Sequence, residues 1–588
     1  MSLNKKNAAA AIALGLSAAL MGGIAAVPAM AAYTAPVKHA VTILPIDRAK
    51  FVAGQRFDFA VEVPGGKAET VTINGEDAAK YFGKEPAIST VGEIGVYRIN
   101  GVSFGAAGDV TVTVKSSVGE RTIKYTVTDE KAPKLAKNVF LFIGDGMSLQ
   151  AREIARVLSK GITEGKYNDL LNMEKMPHMA LITTSGYDSI VTDSANSASA
   201  YATGHKGVVN SMGVYEDCTK DPLDDPKVEN ISEIVKRTRG MSVGLVTTSN
   251  LTDATPAAMT AHTRRRAELN FISKDFLSDI HRPDVLLGGG AANFLPQSVP
   301  GSKRKDDFDV IKAFEDLGYK FSGTRAELNA ISDDADKLIG LYHMNHMNVY
   351  IDREIIKDPS VLKTLNDQPN LMDMTKKAIN ALKKNENGFF LMVEGASVDK
   401  QLHVLDWQRA AYDNIELDQA VGIAQEFAKE NPDTLIIVVA DHAHGASITG
   451  SYHELDGKKD REAVRTYAAA GWPTFEDKDG DGFPDDPNPS VTLAVQFANH
   501  PDTNQDYRFK PVPTPPAVMA DGKAIANPKI VGPFYMGNIP ANESQEVHSA
   551  DDVVLNAQGP GSEYFNGVMD NTEVFFGIIR ALGIDATK

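Results

Sequence analysis

Asn138-Val139-Phe140-Leu141-Phe142-Ile143 contains an unbroken apolar run, and it ends on Gly144-Asp145-Gly146. A strand without polar alternation must be covered on both faces, which suits the middle of a parallel sheet and excludes a sandwich edge. Similar runs follow at 241–247, 285–287, 389–393 and 435–439, with helix-like segments such as 231–237, 371–384 and 412–430 between them. Strands alternating with helices predict an α/β fold: a large three-layer domain over 137–588 with a central, mostly parallel sheet. A polar, proline-rich stretch at about 450–545 interrupts the alternation and reads as an insertion packed over or beside the sheet's carboxyl edge. Residues 571–582 read as a closing helix.

The preceding part of the chain has a different pattern. Short β-prone runs at 41–44, 57–63, 70–73, 96–99, 110–114 and 122–127 are separated by Gly, Pro, Asn and Asp. They predict a small immunoglobulin-like β domain over 35–128, a spacer or adhesion module with 129–136 as linker. At the start, Lys5 and Lys6 precede an apolar run at 8–27 and then Pro28-Ala29-Met30-Ala31. That is the pattern of a signal peptide over 1–31, cleaved before Ala32, so the expected location is periplasmic or secreted. An uncleaved anchor is the alternative. No later stretch looks transmembrane, so no stable membrane span is expected after cleavage.

Composition narrows the function classes. Cys218 is the single cysteine of 588 residues, so no intrachain disulfide can form and stability must come from packing, bound metals or a partner subunit. Cys218 also lies in a polar segment with no paired histidine nearby, a poor setting for a nucleophile. The formal net charge is -17, and Lys/Arg-dense segments are limited to short runs, which argues against nucleic-acid binding. An anionic substrate then needs a local site that reverses this field, and divalent cations provide one.

In open α/β domains, ligands gather where loops leave the carboxyl ends of strands. Ile143 is followed by Asp145, Val393 by Glu394 and Asp399, and Val439 by Asp441, His442 and His444. Asp399 and His403 stand four apart, on one face if a helix begins there. Taken singly, such residues are more often caps or surface groups; clusters after three strands are more specific. Oxygen and nitrogen donors without thiolate suit catalytic zinc, and the hard oxygen positions suit magnesium. The other focus is Thr192-Asp193-Ser194-Ala195-Asn196, which places Ser194 at a helix N-terminus where amides attract phosphate oxygens. A plain N-cap at Asp193 or Ser194 is the competing reading. A serine hydroxyl needs its proton removed or its oxygen on a metal to become a good nucleophile, and a second ion about 4 Å away completes an in-line displacement site.

At these residues the sequence resembles the alkaline phosphatase family of enteric bacteria and animals, from near Asn138 to Leu582. The motifs are Gly144-Asp145-Gly146-Met147, Thr192-Asp193-Ser194-Ala195, the Asp253 to Ala258 segment, the Glu394 to Lys400 segment, and Asp441-His442-Ala443-His444. The resemblance implies hydrolysis of phosphate monoesters through a phosphorylated Ser194, with two zinc ions and one magnesium ion. It assigns one zinc to Asp399, His403 and His548, the other to Asp145, Asp441 and His442, and magnesium to Asp145, Thr255 and Glu394. Arg266 matches the arginine that grips phosphate, and Asp253 and Lys400 match residues that orient phosphate and magnesium-bound water. His453 and His500 compete with His548, while His444 and His262 match recurrent family histidines read as supporting residues. Family members are usually homodimers, and their substrates are small phosphate monoesters.

Three features depart from the family: the leading β domain, the absence of the enteric enzyme's disulfides, and the insertion. The insertion carries Asp477, Asp479, Asp481 and Asp485 with Gly482 at position six, the spacing of a calcium loop, although Asn488 stands at position twelve. A structural calcium site is the expectation, with a plain acidic turn as the alternative. For the function itself, a phosphodiesterase or pyrophosphatase of the same superfamily is the nearest competitor, and an inactive extracellular binding or adhesion protein is the competitor from another class.

Overall fold

The computed structural model describes residues 41–448 and 545–588, apart from 132, 164 and 165, together with short stretches between 451 and 525. The signal-peptide segment, the calcium-loop residues Asp477, Asp479, Asp481 and Asp485, His500 and most of the 450–545 insertion lie outside the described residues.

The first unit is a two-sheet sandwich. Its strands are β1 (Thr42–Leu44), β2 (Lys50–Val52), β3 (Phe57–Pro64), β4 (Ala68–Ile73), β5 (Glu76–Asp77), β6 (Ala87–Val91), β7 (Ile94–Val102), β8 (Gly108–Ser116) and β9 (Gly119–Thr128). One sheet has the order β1-β3-β7-β6 and the other β2-β9-β8-β4-β5. The sets β1-β3-β7-β6 and β9-β8-β4 reproduce the ABED and GFC orders of the immunoglobulin sandwich. Alternation explains the inner faces: Val110, Val112 and Val114 of β8 are buried while Thr111 and Thr113 are partly exposed. Phe51, Phe59, Phe104 and Tyr125 fill the space between the sheets.

The second unit is built on a ten-stranded sheet. Its strands are β10 (Asn138–Gly144), β11 (His178–Thr183), β12 (Ser242–Asn250), β13 (Val285–Gly289), β14 (Lys320–Ser322), β15 (Leu338–Leu341), β16 (Phe389–Gly395), β17 (Thr434–Ala440), β18 (Val553–Gln558) and β19 (Gly567–Asp570). Their order is β14-β15-β13-β12-β16-β10-β17-β18-β11-β19. Only β18 runs against its neighbours, β17 and β11. The central strands β16, β10 and β17 are buried at every position, which is why their sequences lack alternation. Helices that position the site are α1 (Ser194–Thr203), α2 (Ile231–Arg239), α3 (Ala254–Ala258), α4 (Ser397–His403) and α5 (Trp407–Glu430), and α6 (Glu573–Leu582) closes the chain.

The sandwich is docked on the α/β unit. Phe57 bridges to Val228, and Cys218 N–H donates to Glu62 Oε1 at 2.6 Å. Buried Gln55 donates through Nε2 to the carbonyls of Thr203 at 2.8 Å and Glu229 at 3.2 Å. Residues of the linker are also held: Leu135 and Ala136 N–H groups both donate to Ala581 O, and Arg580 Nε meets Glu130 Oε2 at 2.6 Å. A spacer reading misses these contacts, of which the Gln55 bond to Thr203 ties the sandwich to the C-terminal end of α1. Burial and Glu62 push the Cys218 thiol up to about 12, in keeping with its exclusion as a nucleophile.

Candidate metal centre and active site

Parallel register brings the acidic strand ends together. Gly144 pairs with Gly395 on one side and Ala440 on the other, so Asp145, Glu394 and Asp441 meet at the carboxyl edge of the three central strands. The turn after β10 depends on Gly146, whose φ is 67°. A Cβ there would stand 2.6 Å from the His444 ring and 3.0 Å from Asp399 Cβ. Gly146 and His442 N–H groups both donate to Asp441 Oδ1, at 3.0 and 2.9 Å, leaving the buried Oδ2 without a hydrogen-bond partner.

Ser194 opens α1 and Asp193 is its N-cap, closing a capping box with Asn196. The cap is Asp193, and Ser194 is free for other work. The helix is held against β17 by Tyr201 Oη, which donates to Ala440 O at 2.6 Å, and by Ser197 Oγ, which donates to Asp441 O. Ser194 Oγ consequently lies 3.2 Å from Asp145 Oδ1 and 3.2 Å from His442 Nε2. His442 Nε2 is 3.3 Å from Asp145 Oδ1 and 3.6 Å from Asp441 Oδ2.

The second group forms around α4. Asp399 Oδ1 is 3.3 Å from His403 Nε2 and 3.4 Å from His548 Nε2, while the two imidazole nitrogens are 3.0 Å apart. Ligands about 2.0–2.1 Å from a tetrahedral zinc ion lie roughly 3.3 Å from one another, and both groups have edges of that size. His444 Nε2 is 2.6 Å from the same Asp399 oxygen, and burial lowers His444 to about 4, so its ring is neutral and donates that hydrogen bond. His444 also joins Asp399, His442 and His548 in a group whose ligand atoms lie within 4.8 Å of one another. Burial opposes the charge on Asp399, but the His403, His444 and His548 imidazoles that face it, when they carry a proton toward it, hold its carboxyl well below the usual range.

Glu394, which feels the Asp145 charge, is an oxygen donor suited to a harder cation. The hydroxyl of Thr247 donates to Glu394 Oε2, and the buried hydroxyl of Thr255 in α3 has no hydrogen-bond partner. Burial and the Asp145 charge raise Glu394 well above a normal carboxylate, and the same two causes raise Asp441. Such crowded carboxylates ionise together when divalent cations neutralise them. The donor sets therefore fit two zinc ions and one magnesium ion.

Ion pairs hold Arg266 and Lys400 beside this cluster. Arg266 Nη1 meets Asp193 Oδ2 at 3.1 Å and Nη2 meets Asp253 Oδ1 at 2.9 Å. Burial works against the guanidinium charge, but Asp253 and Asp193 more than offset it. Lys400 Nζ lies 3.1 Å from Asp253 Oδ2 and 3.5 Å from Asp145 Oδ2. Asp253 stays ionised despite burial because Lys400 and Arg266 face it. The sequence reading did not single out Thr247, Ser249 or His346. Ser249 Oγ donates to Asp253 Oδ2 at 2.7 Å and lies 2.9 Å from His346 Nδ1.

The alkaline phosphatase family model matches residues 136–584. The chain belongs to the alkaline phosphatase family. Alkaline phosphatase H of Pseudomonas aeruginosa (strain UCBPP-PA14) is 34% identical over 501 residues, covering 79% of this chain and 89% of the relative. Alkaline phosphatase 4 of Bacillus subtilis (strain 168) is 29% identical over 453 residues, covering 76% and 89%. Among solved structures, that of Thermus thermophilus alkaline phosphatase has the same fold, with a TM-score of 0.54 at 24% identity, covering 78% of this chain and 94% of the other. The enzyme is a phosphomonoester hydrolase with the zinc, zinc and magnesium arrangement of alkaline phosphatases. No helix among the described residues is long and apolar enough to cross a membrane.

Proposed function

We propose that Ser194 Oγ attacks the phosphorus of a phosphate monoester and expels the alcohol, and that water then cleaves the phosphoserine to release inorganic phosphate and restore the hydroxyl. The observation that carries this reading is the position of Ser194 Oγ, 3.2 Å from both Asp145 Oδ1 and His442 Nε2. Asp399, His403 and His548 would hold one zinc, Asp145, Asp441 and His442 the other, and Asp145, Thr255 and Glu394 the magnesium. Bound there, the cations would lower the pKa of coordinated oxygens and offset charge on the attacking and leaving oxygens. Arg266 offers its fork to two nonbridging oxygens once phosphate arrives, and Asp193 and Asp253 keep that fork aimed. Lys400, beside Asp253 and Asp145, adds positive charge that orients the phosphoryl group.

Arg266, Lys400 and the magnesium carboxylates together favour monoesters, whose additional nonbridging oxygen a diester lacks. Steady-state hydrolysis of p-nitrophenyl phosphate and of bis-p-nitrophenyl phosphate, with zinc and magnesium present, tests both parts. The expected result is faster monoester hydrolysis and its loss in Ser194→Ala. A faster diester rate would reverse the substrate assignment, and equal rates for wild type and variant would remove Ser194 from the chemistry. The sequence further supports export to the periplasm or medium and a structural calcium at Asp477, Asp479, Asp481 and Asp485, and membership of the family favours a homodimer.

A further inference from the structure

Apart from the catalytic groups, Glu233, His262 and His281 bring three ligand atoms within 4.8 Å of one another. Glu233 lies in the first turn of α2, His262 follows α3, and His281 precedes β13. Both imidazoles are buried, with residue exposures of 4%. Among the described residues, no hydrogen bond or ion pair joins this group to the carboxylates around Ser194.

Backbone carbonyls point the two rings. His262 Nδ1 donates to Gly213 O at 2.9 Å. Gly213 has a φ of 64°, and a Cβ there would stand 2.6 Å from that nitrogen, so the ring's place depends on glycine. His281 Nε2 donates to Asp275 O at 3.1 Å, with Asp275 Oδ2 at 3.3 Å. In neutral rings the lone pairs then sit on His262 Nε2 and His281 Nδ1. The first is 3.2 Å from Glu233 Oε2, with Asn230 Nδ2 at 3.3 Å; the second is 3.8 Å from Glu233 Oε1. His281 Nδ1 is buried and has no hydrogen-bond partner. Nitrogen lone pairs facing a carboxylate repel it unless a proton or a cation lies between them. Without a metal, burial disfavours a charged His281, but Asp275 and Glu233 overcome this and raise it to about 9.

We propose that Glu233, His262 and His281 form a fourth divalent-cation site, of zinc type and separate from the three catalytic ions. Two imidazoles and one carboxylate are a zinc ligand set, and Asp275 behind His281 is the outer carboxylate that metal-bound histidines use. The ion joins three segments of chain. His262 lies four residues before Arg266, and the intervening Thr263 exchanges backbone hydrogen bonds with Met212 at 2.8 and 3.0 Å. The site therefore tethers the loop that presents Arg266. That consequence rests on the phosphate-binding role of Arg266, whereas the site itself does not.

The test is anomalous scattering above and below the zinc edge from crystals of the zinc-loaded enzyme, with metal counted per chain for wild type and Glu233→Gln. The expected result is a zinc peak among the three side chains and one ion fewer in the variant, with the catalytic ions retained. Catalytic peaks without a peak at Glu233, or an unchanged metal count in the folded variant, would overturn the proposal and leave a proton-sharing ion triad. If the variant does not fold, the wild-type diffraction decides alone.

Discussion

The Nε2 atoms of His403 and His548 face each other at 3.0 Å, while each Nδ1 is held by a carbonyl, that of Glu546 at 2.8 Å and that of Thr192 at 2.9 Å. With the protons on the far nitrogens, two lone pairs converge beside Asp399, an arrangement that a shared cation stabilises. His548→Ala is expected to lose one zinc per chain and keep the other. The affinity loss should exceed the roughly 10–100-fold typical of outer-shell changes. Metal analysis after dialysis against a weak chelator reads this, and two retained zinc ions would contradict the assignment.

Arg266 is held at both tips of its fork by Asp193 and Asp253. Losing a hydrogen bond to a charged group costs about 1.5–3 kcal/mol, so Arg266→Ala should lower kcat/KM for p-nitrophenyl phosphate by roughly 10–100-fold. Arg266→Lys keeps the charge but loses the two-pronged geometry, and should recover only part of the rate. Unchanged kcat/KM in both variants would show that the phosphoryl group binds elsewhere.

His205 connects acid sensitivity to the docked sandwich. It packs 4.7 Å from the Phe51 ring, and its Nδ1 lies 2.9 Å from Tyr215 Oη. Burial lowers it from 6.5 to about 3. Between those values the unfolded chain binds a proton that the folded chain refuses, so stability falls as pH drops through that window. At about pH 5 the cost is about 2 kcal/mol. His205→Gln should flatten the decline in denaturation midpoint between about pH 7 and pH 5; a parallel decline in both proteins would assign the sensitivity to other groups.

Much of the centre was legible because Asp145, Glu394 and Asp441 each follow an apolar strand, and parallel register does the rest. Asp399 and His403 were legible from helical spacing, and α4 places them on one face. His548 is different, since more than a hundred residues separate it from His442 and only the family pattern selected it. The supports of the site leave weaker signals. Thr247 and His346 are single polar residues whose partners are distant in sequence, and Ser249 meets Asp253 only four residues on but also the distant His346, so no periodicity marks them. Gln55 likewise gives no sign in the sequence of its bonds to Thr203 and Glu229, which make the sandwich a brace for α1. Those contacts arise from the tertiary meeting of two units, not from either unit's own pattern.

The most direct test of the central claim is acid quenching of the metal-loaded enzyme during turnover of a radiolabelled phosphate monoester, followed by peptide mapping. The account predicts phosphate bound covalently to Ser194 in wild type and no label in Ser194→Ala. A Ser194→Ala variant that still turns over at the wild-type rate, or label mapped to another side chain, would contradict it.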